Sequence, residues 1–112
     1  MLALLLRWII LAFALLFVAW ILPGIGVSGF FPALWATLIL GIINMFIKPV
    51  LIFLTIPINI LTLGLFTLII NALLFWFTSS IVDGFEVSGF WAAFFGALLF
   101  SIISTFINSP GD

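Results

Sequence analysis

The sequence predicts an all-α membrane protein: a polytopic bundle of four transmembrane helices built from a tandem two-helix repeat. Three observations predict this fold class. Of the 112 residues, 68% are hydrophobic and only 4% are charged, and the sequence repeats itself at an offset of 60. A soluble domain carries about a quarter charged residues, so this chain cannot cover a water-facing surface. Because each helical crossing uses about 20 apolar residues, four crossings and their turns account for the chain.

The repeat has no gaps. The segment 24–30, which contains Val-Ser-Gly-Phe, returns at 84–90, and the comparison of 9–49 with 69–109 gives 16 identities in 41 positions. This is several-fold more than composition alone produces. We therefore predict a single membrane domain in which unit 1 covers 1–48, an elbow covers 49–60 and unit 2 covers 61–109.

Each unit is predicted as a helix, a tight turn and a second helix. In unit 1 the helices cover 2–22 and 30–47, and in unit 2 they cover 61–82 and 90–107. Arg7 interrupts the first apolar run instead of preceding it, which favours a membrane helix over a cleaved signal peptide. At the turns, Ser28 and Ser88 are the predicted N-caps, and Gly29 and Gly89 let the chain reverse tightly.

The elbow is apolar but is bracketed by Pro49 and Pro57. As a helix, residues 49–60 would be only about 18 Å long, which is short of a bilayer core of about 30 Å. We expect an interfacial or partly re-entrant segment. An elbow that does not cross makes the two units parallel, whereas a crossing elbow makes them inverted.

Charge placement predicts the orientation. With four spans, Arg7 and Lys48 lie on one face, and Asp83 and Glu86 lie on the other face with both turns. By the positive-inside rule, we expect both termini to be cytoplasmic. Most tryptophans fall near span ends, as an aromatic belt requires. The predicted membrane-interface residues are Arg7, Lys48, Trp8, Trp20, Trp76 and Trp91.

Small and polar residues line up at helical spacing within three spans. These stripes are Thr37, Gly41 and Asn44; Gly64, Thr67 and Asn71; and Ala97, Ser101 and Ser104. Small residues let helices approach closely in lipid, and hydroxyls and amides bond across the contact, so we interpret the stripes as packing seams. A polar path between copies of the chain is the alternative. For Asn44 and Asn71 the interpretations are bonding to each other or to a neighbouring carbonyl, or handling an ion or substrate.

The composition excludes several functions. The chain has no histidine, no cysteine and only three acidic residues, so it lacks the usual ligands of zinc, haem and iron–sulfur clusters and most general acids and bases. We expect no enzyme, no metal and no cofactor. Two cations give no footprint for nucleic acid, and no soluble substrate is evident. The expected partners are membrane lipid and either further copies of the chain or a larger membrane complex.

Several segments together resemble a known family. They are Leu22-Pro23-Gly24-Ile25, Leu40-Gly41-Ile42-Ile43-Asn44, Ile47-Lys48-Pro49, Leu54-Thr55-Ile56-Pro57, Leu61-Thr62-Leu63-Gly64-Leu65-Phe66 and Ile70-Asn71-Ala72-Leu73. The chain resembles the small bacterial phage holin family, superfamily IV, which includes the YvlD-like proteins and has four predicted spans. The resemblance implies a protein that accumulates and oligomerises in the cytoplasmic membrane. The end of the chain, 108–112, departs from the charged tail that many holins carry.

Three functions are compatible with the sequence. The first is a holin-like protein that self-associates in the membrane. The second is an accessory structural subunit of a larger respiratory or photosynthetic complex, for which fifteen phenylalanines and five tryptophans supply a broad apolar surface. The third is a small oligomeric channel, in which the polar stripes converge on one axis.

Overall fold

The computed structural model describes residues 2–62 and 64–107. In chain order the elements are α1 (Leu2–Ile21), β1 (Ile25–Val27), α2 (Phe30–Leu54), α3 (Ile56–Leu61), α4 (Leu65–Ile81), β2 (Phe85–Val87) and α5 (Phe90–Ile107). Three of these helices, α1, α2 and α5, are long and apolar enough to cross a membrane. The fourth, α4, has 17 residues. It is therefore about 25 Å long, at the short end of the range for a span.

The strands β1 and β2 pair with each other and form a small antiparallel ribbon. Ile25 lies opposite Val87, and Val27 lies opposite Phe85. Since β1 joins α1 to α2 and β2 joins α4 to α5, the pairing brings both helical turns to the same end of the bundle. We call this the ribbon end. The segment that links α2 to α4 lies at the opposite end, which we call the elbow end.

Two backbone bonds extend the ribbon, and they come from the residues that were predicted to be helix caps. The N–H of Ser28 donates to the carbonyl of Gly84 at 2.7 Å, and the N–H of Ser88 donates to the carbonyl of Gly24 at 2.8 Å. The prediction that Ser28 caps α2 is wrong, because Gly29 occupies the cap position and no side chain bonds there. Ser28 serves the ribbon instead, since its backbone donor faces the other turn.

A positive φ makes glycine necessary at each turn. Gly24 and Gly84 both have φ of 90°, a conformation that side chains rarely adopt. There is also too little room for a side chain at either glycine. A Cβ at Gly84 would lie 2.5 Å from Ser28 Oγ, and one at Gly24 would lie 2.5 Å from Ser88 Oγ. The turns are therefore locked against each other across the ribbon.

The second helix runs further than the sequence predicts. α2 continues through Pro49 to Leu54, whereas the prediction ends it at residue 47. Proline removes one N–H, but ending the helix there would release several backbone groups, which is costly where lipid offers no partners. Lys48 consequently lies inside α2 instead of marking its end. The helix is capped by Thr55, whose hydroxyl donates to the carbonyl of Leu51 at 2.7 Å.

The elbow contains a short helix, and the next span begins later than predicted. Pro57 lies in the first turn of α3, where its missing N–H costs nothing. The chain then turns at Gly64, which has φ of 88°, and α4 begins at Leu65. The predicted start at residue 61 is wrong, because this residue ends α3. The last two residues of the predicted unit 2, 108–109, lie outside the described ranges.

The four long helices surround a small core. α1 packs against α2 and α5, and α4 packs against the same two helices. Five of the described alanines have no exposed surface, and four of them occur in pairs at the repeat offset: Ala12 and Ala72, and Ala33 and Ala93. Larger side chains from the helices and the ribbon fill the remaining space, chiefly Leu15, Val18, Phe75 and Phe85. These close contacts are what small residues permit in lipid-embedded bundles.

The outside of the bundle is apolar. Large side chains with more than half of their surface exposed occur on every long helix, among them Phe13, Phe31, Met45, Leu65 and Phe106. A soluble monomer rarely shows contiguous apolar patches larger than a few hundred Å². This surface fits a bilayer as its solvent.

Candidate functional site

The polar stripe of α2 changes its surroundings along the helix. Thr37 is buried and donates to the carbonyls of Ala33 and Leu34, at 2.9 and 3.1 Å. One turn further on, Gly41 is exposed, and Asn44 is exposed as well. Only the first part of this predicted stripe is therefore a packing seam within the chain. The second part faces outward.

Asn44 and Asn71 do not bond to each other. Neither side-chain amide has a hydrogen-bond partner within residues 2–62 and 64–107. Asn44 lies in the fifteenth position of the 25-residue α2, near the middle of the helix. Asn71 lies on α4 and is only partly exposed. An amide in hydrocarbon is costly unless it is paired, so Asn44 needs a partner from outside the described chain.

Trp8 makes an interhelical contact that the sequence did not predict. Its indole N–H donates to the carbonyl of Leu34 at 2.9 Å. The side chain therefore bridges α1 and α2, although it had been assigned to the membrane interface. Trp20, Trp76 and Trp91, the other interface tryptophans, have exposed fractions of 81, 38 and 67%. All three lie in the part of their helix that is nearer the ribbon end.

A groove opens between α1 and α2 on the side of the elbow end. Its volume is about 380 Å³. Most of its wall is apolar, with Arg7 as the charged member. A Cβ at Gly41 would have no atom within 4 Å, so the helices leave space at this position. The lining residues are Leu4, Arg7, Trp8 and Leu11 from α1 and Thr37, Leu38, Gly41, Ile42 and Met45 from α2.

A second polar cluster fixes the elbow to α4. The amide N–H of Asn59 donates to Thr55 Oγ1 at 3.0 Å, and the hydroxyl of Thr67 donates to Asn59 Oδ1 at 2.9 Å. The carbonyl of Asn59 also accepts the N–H of Gly64 at 2.8 Å. Gly64 and Thr67 were among the residues predicted from the sequence, whereas Asn59 was not. Its spacing of four from Thr55 is helical, but Thr67 lies on a different helix.

The outer face of α3 is apolar. Ile58, Ile60 and Leu61 have 46, 69 and 83% of their surface exposed. The polar groups thus point inward and the hydrocarbon groups point outward, the reverse of a helix on a soluble protein. This arrangement suits a segment that rests in the bilayer.

The stripe of α5 is buried at one end only. Ala97 is 4% exposed, and Ser101 and Ser104 are partly exposed. The hydroxyl of Ser104 donates to the carbonyl of Ser101 at 3.1 Å. It is thus satisfied within its own helix, unlike the amide of Asn44 at the equivalent repeat position.

The charges separate between the two ends. Arg7 is exposed and Lys48 is partly exposed, and both lie towards the elbow end. Asp83 and Glu86 are exposed at the ribbon end. Within the described ranges no group of three potential metal ligands comes together. The arrangement offers hydrogen-bonding and charged contacts to lipid or protein, and the described residues form no catalytic constellation.

The comparisons with known proteins agree with this geometry. The sequence profile of the family described as "Mycobacterial 4 TMS phage holin, superfamily IV" matches residues 2–106. The "Uncharacterized membrane protein YvlD" of Bacillus subtilis is 39% identical over 88 residues, which are 78% of this chain and 74% of that protein. No solved structure matches.

A second relative is similar over a shorter region. The "Uncharacterized protein SCO3922" of Streptomyces coelicolor is 47% identical over 76 residues, which are 64% of this chain. The match spans 61% of that relative, which is less than two thirds of its length.

Proposed function

This chain belongs to the mycobacterial 4 TMS phage holin family, superfamily IV, and from that premise we propose that it is a non-enzymatic protein of the bacterial cytoplasmic membrane that associates with copies of itself. The observation that carries the proposal is the exposed amide of Asn44 on the outward face of α2. An amide both donates and accepts. Two copies related by a twofold axis would therefore satisfy each other's Asn44 side chains.

We further propose four spans built from two parallel repeat units, with both termini cytoplasmic. Three facts support this topology. The elements helix, strand, helix occur in the same order in 2–54 and 65–107. The ribbon holds both turns at one end. The only cations, Arg7 and Lys48, lie towards the other end, as the positive-inside rule requires of a cytoplasmic face.

Cysteine labelling tests the topology without background, because the chain has no cysteine. A membrane-impermeant maleimide should label Glu86→Cys in intact cells and should label Lys48→Cys only after the membrane is opened. Labelling of Lys48→Cys in intact cells, with Glu86→Cys protected, would show that the orientation is the opposite of the one proposed. Equal protection of both would contradict the placement of the turns outside.

Native mass spectrometry of the particle extracted gently from its own membrane tests self-association. We expect a homo-oligomer of the natural chain. Asn44→Ala should weaken association by about 3- to 20-fold, which corresponds to the range of interhelical polar contacts in membranes. Ser104→Ala is the matched control, since its hydroxyl is already bonded within α5, and it should leave the oligomer unchanged.

Two outcomes would overturn the proposal that copies of the chain associate through Asn44. An unchanged oligomer in Asn44→Ala would remove Asn44 from the contact. A particle in which the chain is monomeric and bound stoichiometrically to a different protein would support an accessory subunit of a larger complex.

Because Leu15, Val18, Phe75 and Phe85 fill the centre of the bundle, any polar path across the membrane would have to run between copies.

A further inference from the structure

Arg7 occupies an unusual position for a charged residue. It is the sixth residue of α1, so it lies about 7.5 Å from the start of the helix. A guanidinium at this depth reaches the headgroup region by extending its side chain along the helix. Within residues 2–62 and 64–107, both carboxylates lie at the opposite end of the bundle. No carboxylate of the described residues therefore lies near Arg7, and an anion at the membrane surface is the partner that its charge favours.

The groove beside Arg7 has the shape for a hydrocarbon chain. It extends over residues 4–11 of α1 and 37–45 of α2, which corresponds to about 10–12 Å along the helices. Leu11, Leu38 and Ile42 supply apolar walls. The groove is open beside Gly41, because a Cβ there would have no atom within 4 Å. Arg7 is thus the only charged residue beside an otherwise largely apolar slot.

The second unit does not repeat this combination. At the repeat offset, Thr67 stands in place of Arg7, and its hydroxyl is bonded to Asn59. Ser101 stands in place of Gly41. The site therefore belongs to unit 1 and is not a general consequence of the helical hairpin.

We propose that the groove binds one anionic phospholipid, with its phosphate on Arg7 and part of one acyl chain along Gly41. The guanidinium can make two parallel hydrogen bonds to phosphate oxygens, which favours phosphate over other headgroup atoms. The acyl chain supplies van der Waals contacts to the side chains that line the groove. A second protein copy or a non-specific lipid layer are the alternative occupants that the experiment must separate.

The experiment is native mass spectrometry of the purified protein in mild detergent, titrated with phosphatidylglycerol or with phosphatidylcholine of the same acyl chains. The natural chain should retain one phosphatidylglycerol per copy in preference to phosphatidylcholine. Arg7→Gln should weaken phosphatidylglycerol binding at least 10-fold and abolish the preference, as the loss of a charged hydrogen bond predicts. Gly41→Leu should weaken the binding of both lipids, because it fills the groove.

Lys48→Gln is the matched control. It removes the other cation of the elbow end, which does not line the groove, and it should leave lipid binding unchanged. Equal losses in Lys48→Gln and Arg7→Gln would show charge attraction without a site and would overturn the proposal. Natural-level binding in both Arg7→Gln and Gly41→Leu would do the same.

The proposal is separable from self-association. Asn44→Ala should retain the lipid while the oligomer weakens, and Arg7→Gln should lose the lipid while the oligomer persists. If Arg7→Gln instead dissociates the oligomer and keeps the lipid, the groove is a protein interface and the lipid site is wrong. Far-ultraviolet circular dichroism with natural helix content is required of every variant.

Discussion

The ribbon ends of the two units are nearly alike, whereas their elbow ends are different. At the ribbon end, Gly24 and Gly84 share a φ of 90°, and Ser28 and Ser88 donate reciprocal backbone bonds. Towards the elbow end, unit 1 has the exposed amide of Asn44 and an open groove, whereas the start of unit 2 is bonded to the elbow by a closed cluster of side-chain hydrogen bonds around Asn59. We therefore expect the ribbon end to fix the fold and the elbow end to take part in binding.

Substitution of a turn glycine should have the largest effect. Gly84→Ala places a side chain at a positive φ and within 3 Å of Ser28 and Pro32, at a combined cost of about 3 kcal/mol. Gly24→Ala should cost nearly as much. Thermal unfolding in mild detergent, followed by circular dichroism, measures both variants. Gly26→Ala is the control, since its Cβ would meet nothing within 4 Å, and a loss as large in this control would contradict the mechanism.

Removal of the elbow cluster should have an intermediate effect that is confined to the elbow and the start of unit 2. Asn59→Ala deletes two side-chain hydrogen bonds and leaves the hydroxyl of Thr67 without its acceptor. We expect the free energy of unfolding to fall by about 2 kcal/mol. Hydrogen exchange should accelerate in 56–62 and at the start of α4, with the ribbon unchanged. Ile60→Ala serves as control because Ile60 is 69% exposed. Acceleration spread evenly over the bundle would mean that the cluster is not local.

Loss of the tryptophan bridge should have the smallest effect and should be confined to unit 1. Trp8→Phe removes the hydrogen bond to the carbonyl of Leu34 but leaves this carbonyl with Thr37 as a partner. We expect the free energy of unfolding to fall by about 1 kcal/mol. The thermal midpoint measures it against Trp20→Phe, whose ring is 81% exposed. Equal midpoints for the two variants would show that the bridge does not stabilise the pair of helices.

The candidate site was predictable only in part. The stripe from Thr37 to Asn44 is visible as helical spacing, but the sequence cannot show that Thr37 is buried while Gly41 and Asn44 face outward. That difference in exposure depends on which part of α2 is covered by the neighbouring helices. The bond from Trp8 to Leu34 joins residues 26 apart, and no local pattern encodes it. Asn59 was missed because Thr67, one of its two side-chain partners, lies on α4 and becomes a neighbour only in the folded chain.

By itself the sequence determined the membrane class, the helical content, the family and the positions of the two turns. Each of these follows from local composition or from motifs that lie close together in the chain: apolar runs of span length, and glycines where the chain reverses. Only the tertiary structure decided that β1 pairs with β2, that α2 continues through Pro49 and that a groove opens beside Arg7. These features depend on contacts between distant segments, where backbone groups that lipid cannot satisfy must find partners within the protein.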